Sequence, residues 1–203
     1  MVNIASKSRK PFEFIKMEKK QKRVIQNPAK KIIAICGRIS AGKTTLAKQI
    51  SERYNFPIAS FGGFIKHYCE LNKLPTNRKS LQDVGRNFIN DNPKKFLKDV
   101  ILFYRNGSEI VILEGVRHRV IIKHIDAVCD ESLVIFVDAD PKTIYQRFTD
   151  RGKESDAEID YDKYDNHPVE FEIEQLKLLS HFVFDTNKNQ EEEVFSIIDK
   201  FLH

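Results

Sequence analysis

Gly37-Arg38-Ile39-Ser40-Ala41-Gly42-Lys43-Thr44 meets the spacing G-x-x-x-x-G-K-[ST] at every fixed position. Each residue type has a chemical reason. Glycines at 37 and 42 allow backbone angles and a close approach that a β-carbon would block. The N–H groups between them can then turn inward on one anion, reinforced by the positive end of the helix that follows. Lys43 is spaced to reach the outer phosphates of a polyphosphate, and the Thr44 hydroxyl to ligate Mg²⁺. The pattern alone arises by chance, but here an apolar run, Ile32–Cys36, precedes it and an amphipathic stretch with Leu46, Ala47 and Ile50 follows. That strand–loop–helix context predicts that residues 37–45, including Thr45, bind ATP with Mg²⁺.

Further charged groups fall at the ends of apolar runs. Glu114 closes Ile110–Leu113, where an acid can hold the Mg²⁺ shell or orient a water, and Arg117 stands three residues on, spaced to meet a phosphate on the acceptor side. His118 and Arg119 are as compatible with a solvent-facing turn as with catalysis. Arg147 and Arg151 are one helical turn apart, and two guanidinium groups so placed suit a polyphosphate whose charge shifts during transfer. The bland alternative at each position is an exposed charge at a turn or on a helix face.

Short apolar runs alternating with helical patterns must position these groups. Strands are expected at Ile32–Cys36, Pro57–Ser60, Ile110–Leu113, Leu133–Val137 and Phe182–Phe184. Helices are expected from Lys43 to Tyr54, Phe64 to Leu74, Ser80 to Ile89, Pro93 to Tyr104, Pro141 to Asp150 and Glu191 to Leu202. The alternation predicts an α/β fold of three layers around a mostly parallel five-stranded sheet, with ligands beyond the carboxyl ends of the strands. Gly152 is expected to end the helix carrying the arginines. The stretch Lys153–His167, with six acids and two lysines, reads as a flap over the site.

The net charge of +5 over 203 residues is unevenly spread. Residues 1–30 hold nine Lys or Arg against two Glu, so the rest of the chain is slightly acidic. This divides the chain into a basic arm, 1–29, and a folded domain, 30–203. The arm is read as a solvated tail, a nucleic-acid or phospholipid contact being the sharper alternative. No run of about 18 apolar residues spans a membrane, and the first ten residues lack the apolar core of a secretory signal. Three distant cysteines, Cys36, Cys69 and Cys129, without metal spacing, predict free thiols and a cytoplasmic protein. Monomer and homodimer are both compatible with the sequence.

With these pieces in place, the chain from about Lys30 onward resembles the nucleoside monophosphate kinase group of P-loop kinases. The likeness is to an adenylate-kinase-like branch near deoxynucleoside monophosphate kinases and dephospho-CoA kinases. The resemblance implies the P-loop NTPase fold with acceptor-binding helices over about residues 61–105 and a short lid over about 152–168. Ser60-Phe61-Gly62-Gly63-Phe64-Ile65-Lys66 stands where the family has Ser-x-Gly-Asp-x-x-Arg, which makes Lys66 the counterpart of an acceptor-phosphate ligand. Glu114-Gly115-Val116-Arg117 resembles the family's Asp-Gly-x-x-Arg with Glu for Asp and one residue fewer, which implies that Arg117 grips the acceptor. Arg147 and Arg151 match the Arg-x-x-x-Arg at the lid base, one stacking on adenine and the other on phosphates. The stretch with Arg78, Gln82 and Arg86 resembles an acceptor-binding helix, and Asp185-Thr186-Asn187-Lys188 a loop that meets the adenine edge, which brings in Asn187. Departures are Gly63 in place of an acid and Lys66 in place of Arg, the latter giving up bidentate phosphate geometry.

The activity expected is transfer of the γ-phosphoryl group of ATP to a small acceptor, first a (deoxy)nucleoside monophosphate. A dephospho-CoA kinase-like reaction, with Asp83 or Glu70 as base by position, and a regulatory P-loop ATPase are the alternatives. A regulatory GTPase is excluded, because Asn187-Lys188-Asn189-Gln190 lacks the Asp that would read guanine.

Overall fold

In the computed structural model, which describes residues 27–154, 168–188 and 191–203, the first apolar run forms the body of β1, Lys31–Gly37. Its side chains alternate as a strand's must. Ile32, Ala34 and Cys36 enter a core on one face of the sheet, and Ile33 and Ile35 a core on the other. All five are fully buried, which explains a continuous apolar run rather than an alternating one.

The chain continues through α1 (Lys43–Tyr54), β2 (Ile58–Ser60), α2 (Phe61–Leu71), α3 (Arg78–Asp91), α4 (Pro93–Tyr104), β3 (Ile110–Val116), α5 (Arg119–Ile125), β4 (Glu131–Asp138) and α6 (Pro141–Glu154). After the segment between them come α7 (Pro168–Lys177), β5 (Phe182–Asp185) and α8 (Glu191–Leu202). The sheet order is β2-β3-β1-β4-β5, and every pairing is parallel. The expected three-layer α/β fold is thus the one observed, with a sheet that is wholly parallel.

The two layers are unequal. Leu46, Ala47 and Ile50 of α1 and Val194 and Ile198 of α8 cover one face. The other face carries α2 to α5 and α7 around a phenylalanine cluster, in which the rings of Phe88 and Phe96 stack at 4.8 Å and Phe61 and Phe96 lie 5.1 Å apart. Burying each such ring contributes about 1.5–3 kcal/mol. Domain contacts begin ahead of residue 30: Ala29 is buried, and the Pro28 carbonyl accepts a bond from Arg105 at 2.6 Å. No helix among the described residues is long and apolar enough to cross a membrane.

Several boundaries differ from expectation. α2 starts at Phe61, directly after β2, because the Ser60 hydroxyl accepts the Gly63 N–H at 3.2 Å and caps it. Gly62 and Gly63 are therefore its first turn, not a loop. Gly152 does not end α6, which runs on to Glu154. α5 and α7 were not expected as helices. The proposed arm up to residue 26 and most of the proposed flap lie outside the described residues.

Candidate active site at the phosphate loop

The loop between β1 and α1 is held by sterics that only glycine satisfies. Gly37 has φ +134°, and a β-carbon there would lie 2.1 Å from the Val137 carbonyl oxygen of β4. Gly42, φ +108°, stands at the N-cap of α1 without a side chain to cap it, and no acid occupies the first turn. The positive end of α1 is thus left for an outside anion. Ser40 also has positive φ, +56°; it is buried, and among the described residues its hydroxyl makes no hydrogen bond. A buried donor left unpaired costs about 1–3 kcal/mol, a cost that a phosphate oxygen would remove. Arg38 and Ile39 form the outer part of the turn and Ala41 its buried base. The Lys43 ammonium folds back onto the Arg38 carbonyl.

β3 delivers the acid. Its register against β1 shifts after Ile35↔Glu114, the next pair being Cys36↔Val116, so Gly115 is the extra residue of a bulge with φ +85°. Glu114 accepts a hydrogen bond from the Thr44 hydroxyl at 2.6 Å. Glu114 therefore lies within the strand rather than beyond its tip. Among the described residues no group of three or more His, Cys, Asp or Glu could hold a metal alone. A hydroxyl and one carboxylate fit Mg²⁺, which commonly takes one or two carboxylates and completes its shell with phosphate and water.

On the other side, α6 presents Arg147. The helix is capped by Asp140, which accepts the Thr143 N–H at 3.0 Å and the Thr143 hydroxyl at 2.7 Å. Those bonds, the backbone one first, hold the Asp140 carboxyl below the usual carboxylate range. The Arg147 guanidinium donates to the Thr186 hydroxyl at 2.9 Å and to the Ala41 carbonyl at 3.3 Å. It thereby closes a cavity of about 250 Å³ lined by Ser40, Gly42, Thr45, Leu46, Gln49, Phe184 and Glu191 besides Arg147 and Thr186. The side chain of Arg151, one turn further on, lies outside the described residues.

The other expected site residues divide. Arg117 is half-buried just beyond β3 and among the described residues makes no hydrogen bond or ion pair. Asn187 is engaged in shaping its loop: its amide group binds the Asp140 N–H at 2.8 Å and the Thr143 hydroxyl at 2.9 Å, and its own N–H goes to Asp185. The cavity wall there is Thr186. Lys66 is exposed and paired with Glu70 at 3.9 Å, and Arg86 with Asp83 at 4.0 Å. Arg78 and Gln82 are exposed on α3. Among the described residues, no hydrogen bond or ion pair links Lys66, Gln82 or Arg86 to the phosphate loop. Near α2 the place of an acid is taken by Tyr104, whose hydroxyl would lie 2.4 Å from a β-carbon at Gly63.

Three groups escaped the sequence reading. Gln49 and Glu191 meet at 3.1 Å across 142 residues to form one end of the cavity. α7 is the third: its buried stripe, Ile173 and Leu176, packs on the sheet, and polar seams run on either side. On one seam Glu172 accepts the Arg119 N–H and contacts His118, and Gln175 accepts from the Arg119 guanidinium. On the other, Glu174 lies 3.4 Å from Arg38 and Lys177 2.7 Å from Asp138 at the end of β4.

The family described as AAA domain matches residues 33–177. No curated protein matches the chain significantly. Among solved structures, the chain is similar to shikimate kinase from Bacteroides thetaiotaomicron, at 17% identity and TM-score 0.50 over 84% of this chain and 97% of that one. A Thermus thermophilus protein, TT1252, aligns at 16% identity and TM-score 0.54 over 86% and 99%. Shikimate kinase from Acinetobacter baumannii in complex with shikimate aligns at 12% identity and TM-score 0.51 over 86% and 93%. At such identities the likeness is one of fold.

Proposed function

The chain belongs to the AAA domain family, and from that premise we propose that it is an ATP-dependent phosphotransferase that moves the γ-phosphoryl group to a small acceptor. One arrangement carries the reading: an uncapped helix end behind a glycine-held loop, with the Thr44–Glu114 pair on one side and the Arg147-walled cavity on the other. ATP is the substrate such a loop takes, its base toward the cavity and its phosphates along residues 37–45. Thr44 and Glu114 are the residues that would hold Mg²⁺, which supplies charge neutralisation of the phosphates when bound.

The chain's own groups provide the rest. Lys43 exchanges its internal contact with Arg38 for the outer phosphates. Arg147 faces the charge that develops as the bond to the leaving ADP opens, and Arg151 is assigned to the same charge from its spacing of one helical turn in the sequence. Aligned donors of this kind are each worth about 10²–10³ in rate. Transfer is direct and in line, without a phospho-enzyme, and depends on holding the two reactants at attack distance. Arg117, which has no hydrogen-bond or ion-pair partner among the described residues, is the anion grip for the acceptor.

For the acceptor we propose a small phosphate-bearing molecule, a (deoxy)nucleoside monophosphate being the first to test. Lys66, Arg78, Gln82 and Arg86 line its approach in this reading, which their exposure on α2 and α3 permits. A regulatory ATPase is the competing reading, since Glu114 also stands where an acid can orient water. Incubation with γ-labelled Mg-ATP and a panel of nucleoside monophosphates and dephospho-CoA separates the two. Label on an acceptor is the expected result. ADP formation at a rate indifferent to every acceptor would leave the ATPase.

A further inference from the structure

The proposed site contains a group that a phosphate acceptor has no use for. A nucleoside monophosphate attacks through an oxygen that is already anionic, so no base is required. A hydroxyl acceptor must lose a proton as it attacks. His118 follows Arg117 at the carboxyl edge of β3, and its Nδ1 lies 2.9 Å from Glu172 Oε2. The other Glu172 oxygen accepts the Arg119 N–H at 2.9 Å, so the carboxylate is fixed from two sides. An ionised carboxylate only accepts hydrogen bonds, so the proton of the neutral imidazole sits on Nδ1. Nε2 is left with its lone pair. This is the arrangement in which a carboxylate orients a histidine as a base and steadies the imidazolium that forms.

The pair stands next to the phosphate-loop edge of the sheet. His118 lies two residues past the end of β3, whose Glu114 binds Thr44, and α7, which carries Glu172, reaches Arg38 of the loop from its opposite seam through Glu174 at 3.4 Å. The other bases considered from the sequence are committed elsewhere among the described residues. Glu114 is engaged with Thr44, Asp83 and Glu70 face Arg86 and Lys66 on exposed helix sides, and Gly63 has no side chain.

We infer that His118 is the general base of the transfer, Glu172 its positioning residue, and that the acceptor atom is a hydroxyl oxygen of a small phosphate-bearing molecule held by Arg117. The inference rests on the phosphotransferase reading above and deepens it. In the step, the acceptor O–H bond breaks and its proton passes to His118 Nε2 while the oxygen bonds the γ-phosphorus. The bond from that phosphorus to the β–γ bridging oxygen breaks, its electron pair leaves with ADP, and the proton is later released to solvent. The product is a phosphomonoester. A nucleoside monophosphate attacking through its phosphate would give an anhydride instead.

The test uses the full chain with Mg-ATP and, separately, each nucleoside monophosphate and dephospho-CoA, the product being read by ³¹P NMR. A new monoester singlet without phosphorus–phosphorus coupling is expected. His118→Asn, a residue well suited to the N-cap position that His118 holds before α5, should lower kcat about 10²–10⁴-fold with the KM for ATP and the melting temperature little changed. Glu172→Gln should lower kcat at least tenfold, and the acid limb of the wild-type pH–rate profile should vanish in His118→Asn. Nitrogen NMR of labelled histidine should show the Nδ1–H tautomer. A coupled doublet from an anhydride product, full turnover in His118→Asn, or the Nε2–H tautomer would each overturn the inference while leaving the phosphotransferase standing. Absence of transfer to every acceptor would remove both.

Discussion

Lys43 has two roles to choose between at the level of the single residue. Its ammonium donates to the Arg38 carbonyl, so it braces the loop as it stands. If that were its purpose, Lys43→Ala would chiefly lower stability. The proposed reaction assigns it to the outer phosphates instead, so the same change should cut the transfer rate by about 10²–10³. Thermal unfolding should shift by no more than a few degrees, and near-normal turnover in a well-folded variant would remove Lys43 from the mechanism. Gly63 makes a different argument. An added β-carbon would lie 2.4 Å from the Tyr104 hydroxyl, and Tyr104, pushed up by burial and then by the Glu114 charge, is a neutral phenol at physiological pH. Gly63→Ala should therefore cost about 1–3 kcal/mol by overpacking. Tyr104→Phe, which deletes the one atom in the way, should restore most of it. The two changes are coupled and not additive, and urea titration of the four proteins measures the coupling.

Among the elements, α6 shows how a cap reaches the chemistry. Asp140 fixes the first turn through Thr143, and Arg147 projects from the second turn against Thr186 and Ala41. The Asp140 carboxyl is depressed in the folded chain, so its ionised form contributes stability above the ordinary carboxylate range, and that contribution is lost as pH falls through the depressed value. Asp140→Ala should thus lower the urea midpoint at pH 7 and converge on the wild type as pH falls below the depressed value, while Asp140→Asn keeps most of the neutral-pH stability. A midpoint difference that does not shrink as the carboxyl is protonated would mean the cap does not act through its charge. The same scale explains what the sequence made legible. β1, the phosphate loop and α1 could be read because their determinants are consecutive, and Asp140-Pro141 marks the start of α6 just as locally. α5 was hidden because Val120-Ile121-Ile122 favours strand by local preference, and it is helical because Ile121 and Ile125, four apart, share one buried face. α2 was begun too late because two glycines look like a turn, although Ser60 caps them into a helix. Glu114 and Arg147 were found from their places at strand ends and on helix faces. Gln49, Glu191 and the His118–Glu172 pair were not, because each becomes part of the site only through packing between distant segments.

For the molecule as a whole, the two cores are joined through β1, and its last buried side chain, Cys36, lies directly before the phosphate loop. Burial pushes the Cys36 thiol up to about 12, against a weaker opposing pull from Lys43, and pushes Cys129 up to about 12 as well; Cys69 is raised in the same way. All three are free and buried. A raised thiol keeps its proton in the folded chain where the unfolded chain would lose it. The associated stability is therefore complete below the unfolded thiol range, near pH 8.5, and declines as pH climbs toward 12, by up to about 1.4 kcal/mol per pH unit for each thiol. Alkylation consequently reports opening of the core rather than surface chemistry. At pH 8 an alkylating reagent should label Cys36 and Cys129 far more slowly than a denatured control and at matching rates, since one global unfolding event exposes both. Mg-ATP should slow that labelling further, because a ligand bound only by the folded state adds RT ln(1 + [L]/Kd), about 2.7 kcal/mol at a hundredfold excess over Kd, or roughly a hundredfold in rate. A Lys43→Ala chain that retains its fold should lose much of this protection. Quick labelling of Cys36 alone would show that the strand end opens independently, and the phosphate loop would then lack the rigid base from which its amides are aimed.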